Sequence, residues 1–318
     1  MSHDILDDYS IEMTAKDVPS LNEARALLRP ATRVNVTYLG SEGFEMRRTA
    51  IRTAADWGFT PVPHISSRRL PSRYALEEFL GALREDGTAH DVFVVGGDPA
   101  QPQGPYRSSL DVIRTGLLEK YGVGSVSISG YPEGHPDISE DLLWSAITEK
   151  AREVTSRGIA GNVVTQFSFD ADAVVAWIEQ ARDRGITLPV RVGVPGPAGV
   201  KRLLTFAGRF GVASSATIAR KYGLSLTNLL GTAGPDRFIR RLSDRLHDHH
   251  GDVRLHFYTF GGLQKTASWI REFSAKALGE LTVTGLVRAL LASVGTLGSR
   301  LPNPRLGVHD GEWDASVF

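Results

Sequence analysis

Cysteine is absent from the 318 residues, which removes disulfides, thiolate nucleophiles and Cys-ligated zinc or iron–sulfur sites from consideration. Neither sign of charge is in excess: 36 Lys and Arg balance 36 Asp and Glu. A nucleic-acid binder usually concentrates basic residues on one face, so no nucleic-acid partner is expected. No stretch approaches the roughly 18 consecutive apolar residues that span a bilayer. The opening MSHDILDDYSIEM carries acids where a signal peptide needs a basic segment and an apolar core. These absences predict a cytoplasmic protein with no membrane partner. Glycine-rich phosphate loops are missing as well: GVPGPAG (193–199) has neither the Lys-Ser/Thr of a P-loop nor the spacing of a dinucleotide fingerprint.

What is present is a recurring alternation. Eight short runs rich in β-branched and aromatic residues read as strands: 9–13, 33–39, 60–66, 91–97, 125–129, 162–168, 189–195 and 253–259. Helical periods fall between them at 42–57, 72–86, 106–120, 139–157, 171–184 and 234–248. In the second of these, Tyr74, Leu76, Phe79, Leu80 and Leu83 share a face. Strand followed by crossover demands parallel pairing, and eight such units predict an α/β protein built as a single (β/α)8 TIM barrel. An open doubly wound sheet is the competing arrangement. The long connection after the seventh strand holds three further helical patterns, PAGVKRLLTFAGRF, SSATIARKYGL and GPDRFIRRLSDRLHDHH. The barrel is expected over 1–275, and 276–318 as a C-terminal helical extension and tail.

In such a barrel the reactive groups sit at the carboxyl ends of the strands. The polar residues there are Glu12, Thr37, Tyr38, His64, Asp98, Tyr131, His135, Gln166, Asp170, Tyr258 and Thr259. Several also have an ordinary structural reading. Thr37 and Tyr38 are good strand formers, Asp98 in GGDP can open a turn, and Asp170 is read as a helix cap. His135, before Pro136, can be a turn residue, but with Tyr131 its place at a strand end favours a pocket. Glu12, flanked by Ile11 and Met13, points to the barrel interior or mouth, where burial would suit a carboxyl to general acid work. HDHH (247–250) closes a charged helix and reads as a solvated helix end, so no metal is expected.

Taken in order, SIEM, VNVTY, PVPHIS, VVGGDP, GYPEGHP, VVTQFSFD, VGVPG and LHFYT resemble the strand ends of the methylenetetrahydrofolate reductase family over residues 8–275. The pair GYPEGHP and TQFSFD is the most specific part. The resemblance implies a (β/α)8 barrel that interconverts 5,10-methylenetetrahydrofolate and 5-methyltetrahydrofolate in one-carbon metabolism. It further implies FAD as the usual hydride carrier and NADH or NADPH as its source. Residue by residue, Glu12 resembles the general acid and Asp98 the carboxylate beside the pterin. Gln166 resembles the pterin-binding amide, Phe206 the stacking aromatic, and Tyr258 a substrate contact. Thr37, Tyr38, His64, Gly97, Tyr131, His135 and Asp141 fall where the family contacts its flavin.

Departures cluster in the flavin half. Gly96 stands where the family has Arg, and the segment after HPD keeps Asp141 but places Trp144, Ile147 and Thr148 at the family's polar positions. Arg202 replaces a folate-binding Gln, and Gly262 stands near the place of an Arg. Two enzyme readings follow: a reductase that holds FAD, or one in which NAD(P)H passes hydride directly to the folate. A barrel that binds folate without catalysis and an enzyme oxidising methyltetrahydrofolate are the alternatives. A homo-oligomer is compatible with the sequence.

Overall fold

Each strand run is followed by a crossover that returns the chain to the same end of the sheet, so the pairing is parallel throughout. The computed structural model describes residues 5–209 and 232–276. Its barrel strands are β1 (Ser10–Met13), β2 (Arg33–Val36), β3 (Thr60–Ser66), β4 (Asp91–Val95), β5 (Ser125–Gly130), β6 (Ala160–Phe167), β7 (Val190–Pro195) and β10 (Val253–Tyr258). The ring is closed, with β1 against β10 and Ser10 opposite His256. The (β/α)8 barrel is therefore confirmed over the open sheet. Strands β8 (Ala198–Gly199) and β9 (Thr232–Ala233) form a separate antiparallel pair. Two residues are too few to show an alternating pattern, so periodicity does not announce them.

The helices are α1 (Val18–Ala24), α2 (Phe44–Asp56), α3 (Arg73–Glu85), α4 (Ser109–Ile113), α5 (Leu117–Lys120), α6 (Glu140–Ser156), α7 (Ala171–Asp183), α8 (Val200–Arg209), α9 (Asp236–Arg245) and α10 (263–276). Helix α3 illustrates the local logic: the Ser72 hydroxyl caps it by accepting from the Ala75 amide at 3.1 Å, and Leu76, Phe79, Leu80 and Leu83 are buried on its inner face. Asp170 caps α7, accepting from the Asp172 amide at 3.2 Å.

Two expectations change. The helix read over 106–120 is two short helices, broken where Gly116 takes φ +72°, a left-handed backbone that glycine tolerates. The helix read to 248 stops at Arg245, and Asp248–His250 forms its own 3₁₀ turn with His250 buried, so HDHH is not a solvated helix end. The pattern SSATIARKYGL and the C-terminal extension lie outside the described residues. The chain divides into two compact units, Met1–Phe273 and Ser274–Phe318. No helix among the described residues is long and apolar enough to cross a membrane.

The main apolar core lies between strands and helices, built from residues such as Ile11, Val34, Val92, Ile128 and Phe257. Inside the barrel a smaller cluster of Val62, Phe93 and Val164 sits apart from it. The rest of the interior is polar. Ser127 donates to Asn162 Oδ1 at 3.1 Å, and Arg33 pairs with Asp91 and Arg191 with Asp8. This layered filling leaves polar side chains on the strands' inward face up to the mouth. Between Val164 and Phe167 the β6–β7 register shifts in a bulge, and Gly193 N donates to the Thr165 hydroxyl at 2.8 Å. A Cβ on Gly193 would stand 2.4 Å from the Thr165 carbonyl oxygen. The close approach needs glycine.

Candidate active site at the barrel mouth

Side chains alternate along a strand, so Ser10 and Glu12 of β1 share one face, as do His256 and Tyr258 of β10. Those faces meet inside the barrel. His256 is fully buried, with Nδ1 2.8 Å from the Ser10 hydroxyl and Nε2 3.3 Å from Glu12 Oε2. Thr259 donates to the Glu12 backbone carbonyl at 2.8 Å, tying the end of β10 to β1. The Glu12 side chain is 21% exposed. Its carboxylate thus has a fixed orientation and a path to solvent, the two properties a proton donor at a binding site requires.

His64 lies beside this group on β3, buried and edge-on to Phe93 with ring centroids 4.7 Å apart. Burial pushes its imidazole down to about 4, against the pull of Glu12, with His256 adding to the depression. It is therefore neutral near pH 7, and its Nε2 has no hydrogen-bond partner. Tyr258 donates to the Thr165 carbonyl at 3.1 Å. Burial raises its hydroxyl well above the usual tyrosine value, and the nearby Glu12 and Tyr131 act in the same direction. Tyr258 stacks on Phe260, and Phe260 on Phe206 at 4.1 Å with planes 9° apart. Phe206 thus has one face against Phe260.

Gln166 sits at the bulge, its Oε1 accepting the Phe167 amide at 3.0 Å, so the side-chain amide nitrogen is what it can offer a ligand. Thr37 has a buried hydroxyl without a partner. Tyr38 lies under the Arg47 guanidinium at 3.8 Å, with Arg69 at 5.9 Å. Asp98 is 74% exposed and held by Arg69 in a two-bond fork, both at 2.8 Å. Gly97 takes φ +95°, and a Cβ there would stand 2.2 Å from the Ser66 hydroxyl. Arg202 is exposed on α8.

The loop after β5 borders a cleft of about 590 Å³. Tyr131 and His135 both line it, in an edge-to-face pair 5.5 Å apart, and His135 Nδ1 accepts the Asp137 amide at 3.1 Å. On the opposite wall Trp144 of α6 and Trp177 of α7 stack at 5.5 Å, 18° from parallel. The Arg184 guanidinium lies 4.2 Å from the Trp144 ring. Among the described residues the carboxylates lining the cleft are Glu133 and Glu140, and no Lys or Arg lines it. Asp141 is exposed and is not part of the lining. A flavin dinucleotide places a doubly negative pyrophosphate at the family's corresponding groove. The two lining carboxylates repel it, and the Trp144 indole N–H is already donated to Glu140 at 3.3 Å. The residues present do not fit FAD in this cleft.

The structure brings Glu12, His64 and Tyr258 together, with Gln166 reached through the Thr165 bulge; Tyr131 and His135 line the neighbouring cleft. Sequence reasoning missed His256, Arg69 and Phe260. His256 was discoverable, since it lies two residues before Tyr258 and so shares its face.

Fold and site define a (β/α)8 barrel with a carboxylate–imidazole pair at its mouth. The chain belongs to the methylenetetrahydrofolate reductase family, whose model matches residues 12–227. It is 26% identical over 160 residues to methylenetetrahydrofolate reductase (NADH) 1 of Arabidopsis thaliana, covering 46% of this chain and 26% of that one. It is 28% identical over 180 residues to 5,10-methylenetetrahydrofolate reductase of Pectobacterium carotovorum, covering 55% and 57%. The chain therefore spans a quarter to just over half of these relatives. Among solved structures it resembles an uncharacterized protein from Clostridium thermocellum that binds two copies of 5-methyl-5,6,7,8-tetrahydrofolic acid. That match has a TM-score of 0.52 and 10% identity, and covers 83% of this chain and 92% of the other. At that identity the likeness concerns the fold.

Proposed function

We propose that the protein reduces 5,10-methylenetetrahydrofolate to 5-methyltetrahydrofolate, with NADH or NADPH giving hydride directly to the folate. The observation that carries this is Glu12, oriented by His256 at a barrel mouth and reachable from solvent. Glu12 gives its proton to N10 of the imidazolidine ring, and the bond from N10 to the methylene carbon breaks. The methylene carbon becomes an iminium on N5. Hydride leaves C4 of the dihydronicotinamide for that carbon, producing the methyl group and the oxidised nicotinamide. Solvent returns a proton to Glu12. The new Glu12 carboxylate is itself the counter-charge to the iminium, a role that Asp98 fills less readily because Arg69 already answers its charge.

In this reading Gln166 binds the pterin edge, and the Tyr258, Phe260 and Phe206 column offers the apolar wall against which a flat ring packs. Neutral His64 keeps a second positive charge away from the cation. No flavin step is needed. The barrel of residues 1–275 carries the reaction, with 276–318 as an accessory extension.

Replacing Glu12 by Gln keeps the shape and removes the proton. Turnover is expected to fall by about 10²–10⁴-fold, while the folate dissociation constant stays within a few-fold. Undiminished turnover in Glu12→Gln would remove Glu12 from the role of acid.

A further inference from the structure

The motif HDHH takes no part in the barrel mouth. Its turn, Asp248–His250, precedes β10 and lies at the opposite end of the barrel from Glu12. His250 is 1% exposed, and its Nε2 is buried with no hydrogen-bond partner. Buried polar groups are normally satisfied, so an orphaned imidazole nitrogen points to something that completes it. Glu179 of α7 sets its Oε1 3.5 Å from that Nε2. This is long for a hydrogen bond but close to the separation of two ligands on one tetrahedral zinc, with bonds of about 2.0–2.2 Å. The His249 ring lies 3.9 Å from that of His250, and one ligand atom from each of the three residues falls within 4.8 Å of the others.

We propose that Glu179, His249 and His250 bind a divalent late first-row cation, zinc in the first instance. Two imidazoles and one carboxylate are a donor set zinc accepts, leaving a fourth position for water. The turn supports this by holding His250 from behind. Its Nδ1 lies 3.2 Å from the His247 carbonyl oxygen, and a donated bond there leaves the Nε2 lone pair facing the cation. Nδ1 is also 2.9 Å from the His247 amide, so the metal-free ring can instead accept that bond and carry its proton on Nε2. Metal binding then shifts the ring proton from Nε2 to Nδ1, selecting the tautomer that donates to the His247 carbonyl, with no net change in charge on the ring. The nearby Arg182 guanidinium donates to the carbonyls of His250, Ile186 and Leu188, which locks the turn to the end of α7 without occupying Glu179. A cation here would clip the entry of β10 to α7, and so steady the strand that carries His256 and Tyr258.

The test uses the full-length, untagged protein stripped of metal and titrated with zinc chloride alone, read by calorimetry and by the melting temperature. One equivalent bound per chain with a raised melting temperature is expected. Glu179→Gln and His249→Ala, both at exposed positions, should each weaken binding by at least about tenfold while leaving basal reductase turnover unchanged. Cobalt(II) added to the stripped protein should give the intense visible bands of a four-coordinate site. Absence of stoichiometric binding, or binding that both variants retain in full, would overturn the assignment. These readouts do not depend on reductase activity.

Discussion

Around Glu12 the neighbouring imidazoles have different jobs. His256 touches the carboxylate and is anchored by Ser10, so it positions the acid without contacting the folate in the reading given above. His256→Gln should therefore lower kcat by about 10–100-fold while KM for the folate changes little, because the loss falls on the transition state. A change confined to KM would show that His256 shapes the binding surface instead. His64 makes a stability prediction. Its folded-state value of about 4 lies below the ordinary 6.5, so between those pH values the unfolded chain binds a proton that the folded chain refuses. Stability is full above pH 6.5 and falls as the pH drops towards 4, by up to about 3 kcal/mol. Comparing urea midpoints at pH 7 and pH 4.5, His64→Asn should show a smaller drop than the parent protein. An identical drop would assign the pH dependence to other groups.

At the scale of elements, the strands and most helices were legible because their periods are long enough to read. Glu12 and Tyr258 stood out as polar residues at strand ends, and Asp170 was recognisable as a cap. Alternation places His256 on the face of Tyr258, but its pairing with Ser10 and Glu12 shows only once β1 is brought against β10. The Asp98 pairing was hidden for a similar reason: Arg69 is 29 residues away, and only the folded loops make the fork. The β6 bulge leaves no pattern at all, yet it dictates Gly193. Gly193→Ala forces a methyl group against the Thr165 carbonyl, backbone that cannot swing aside, and should cost about 1–3 kcal/mol of unfolding free energy. An unchanged urea midpoint would mean that β6 and β7 can part there without penalty.

For the molecule as a whole, the chain belongs to the family and closes a barrel with an acidic, indole-lined cleft beside its mouth. In the proposed reading the pterin meets Glu12, Gln166 and an aromatic wall, whereas the cleft beside Tyr131 and His135 is lined by Glu133 and Glu140 and by the Trp144–Trp177 stack. The sequence disclosed the substitution of Trp144 but not its partner, because Trp177 comes from the next helix and reads as an ordinary core residue. The proposal of direct hydride transfer rests on the make-up of that cleft. The most direct test is to follow oxidation of NADH or NADPH by 5,10-methylenetetrahydrofolate with protein whose visible spectrum shows no flavin, before and after adding FAD. Turnover without flavin, unchanged by FAD, is the expected result. Turnover that is absent until FAD is supplied, with flavin retained after the excess is removed, would contradict it.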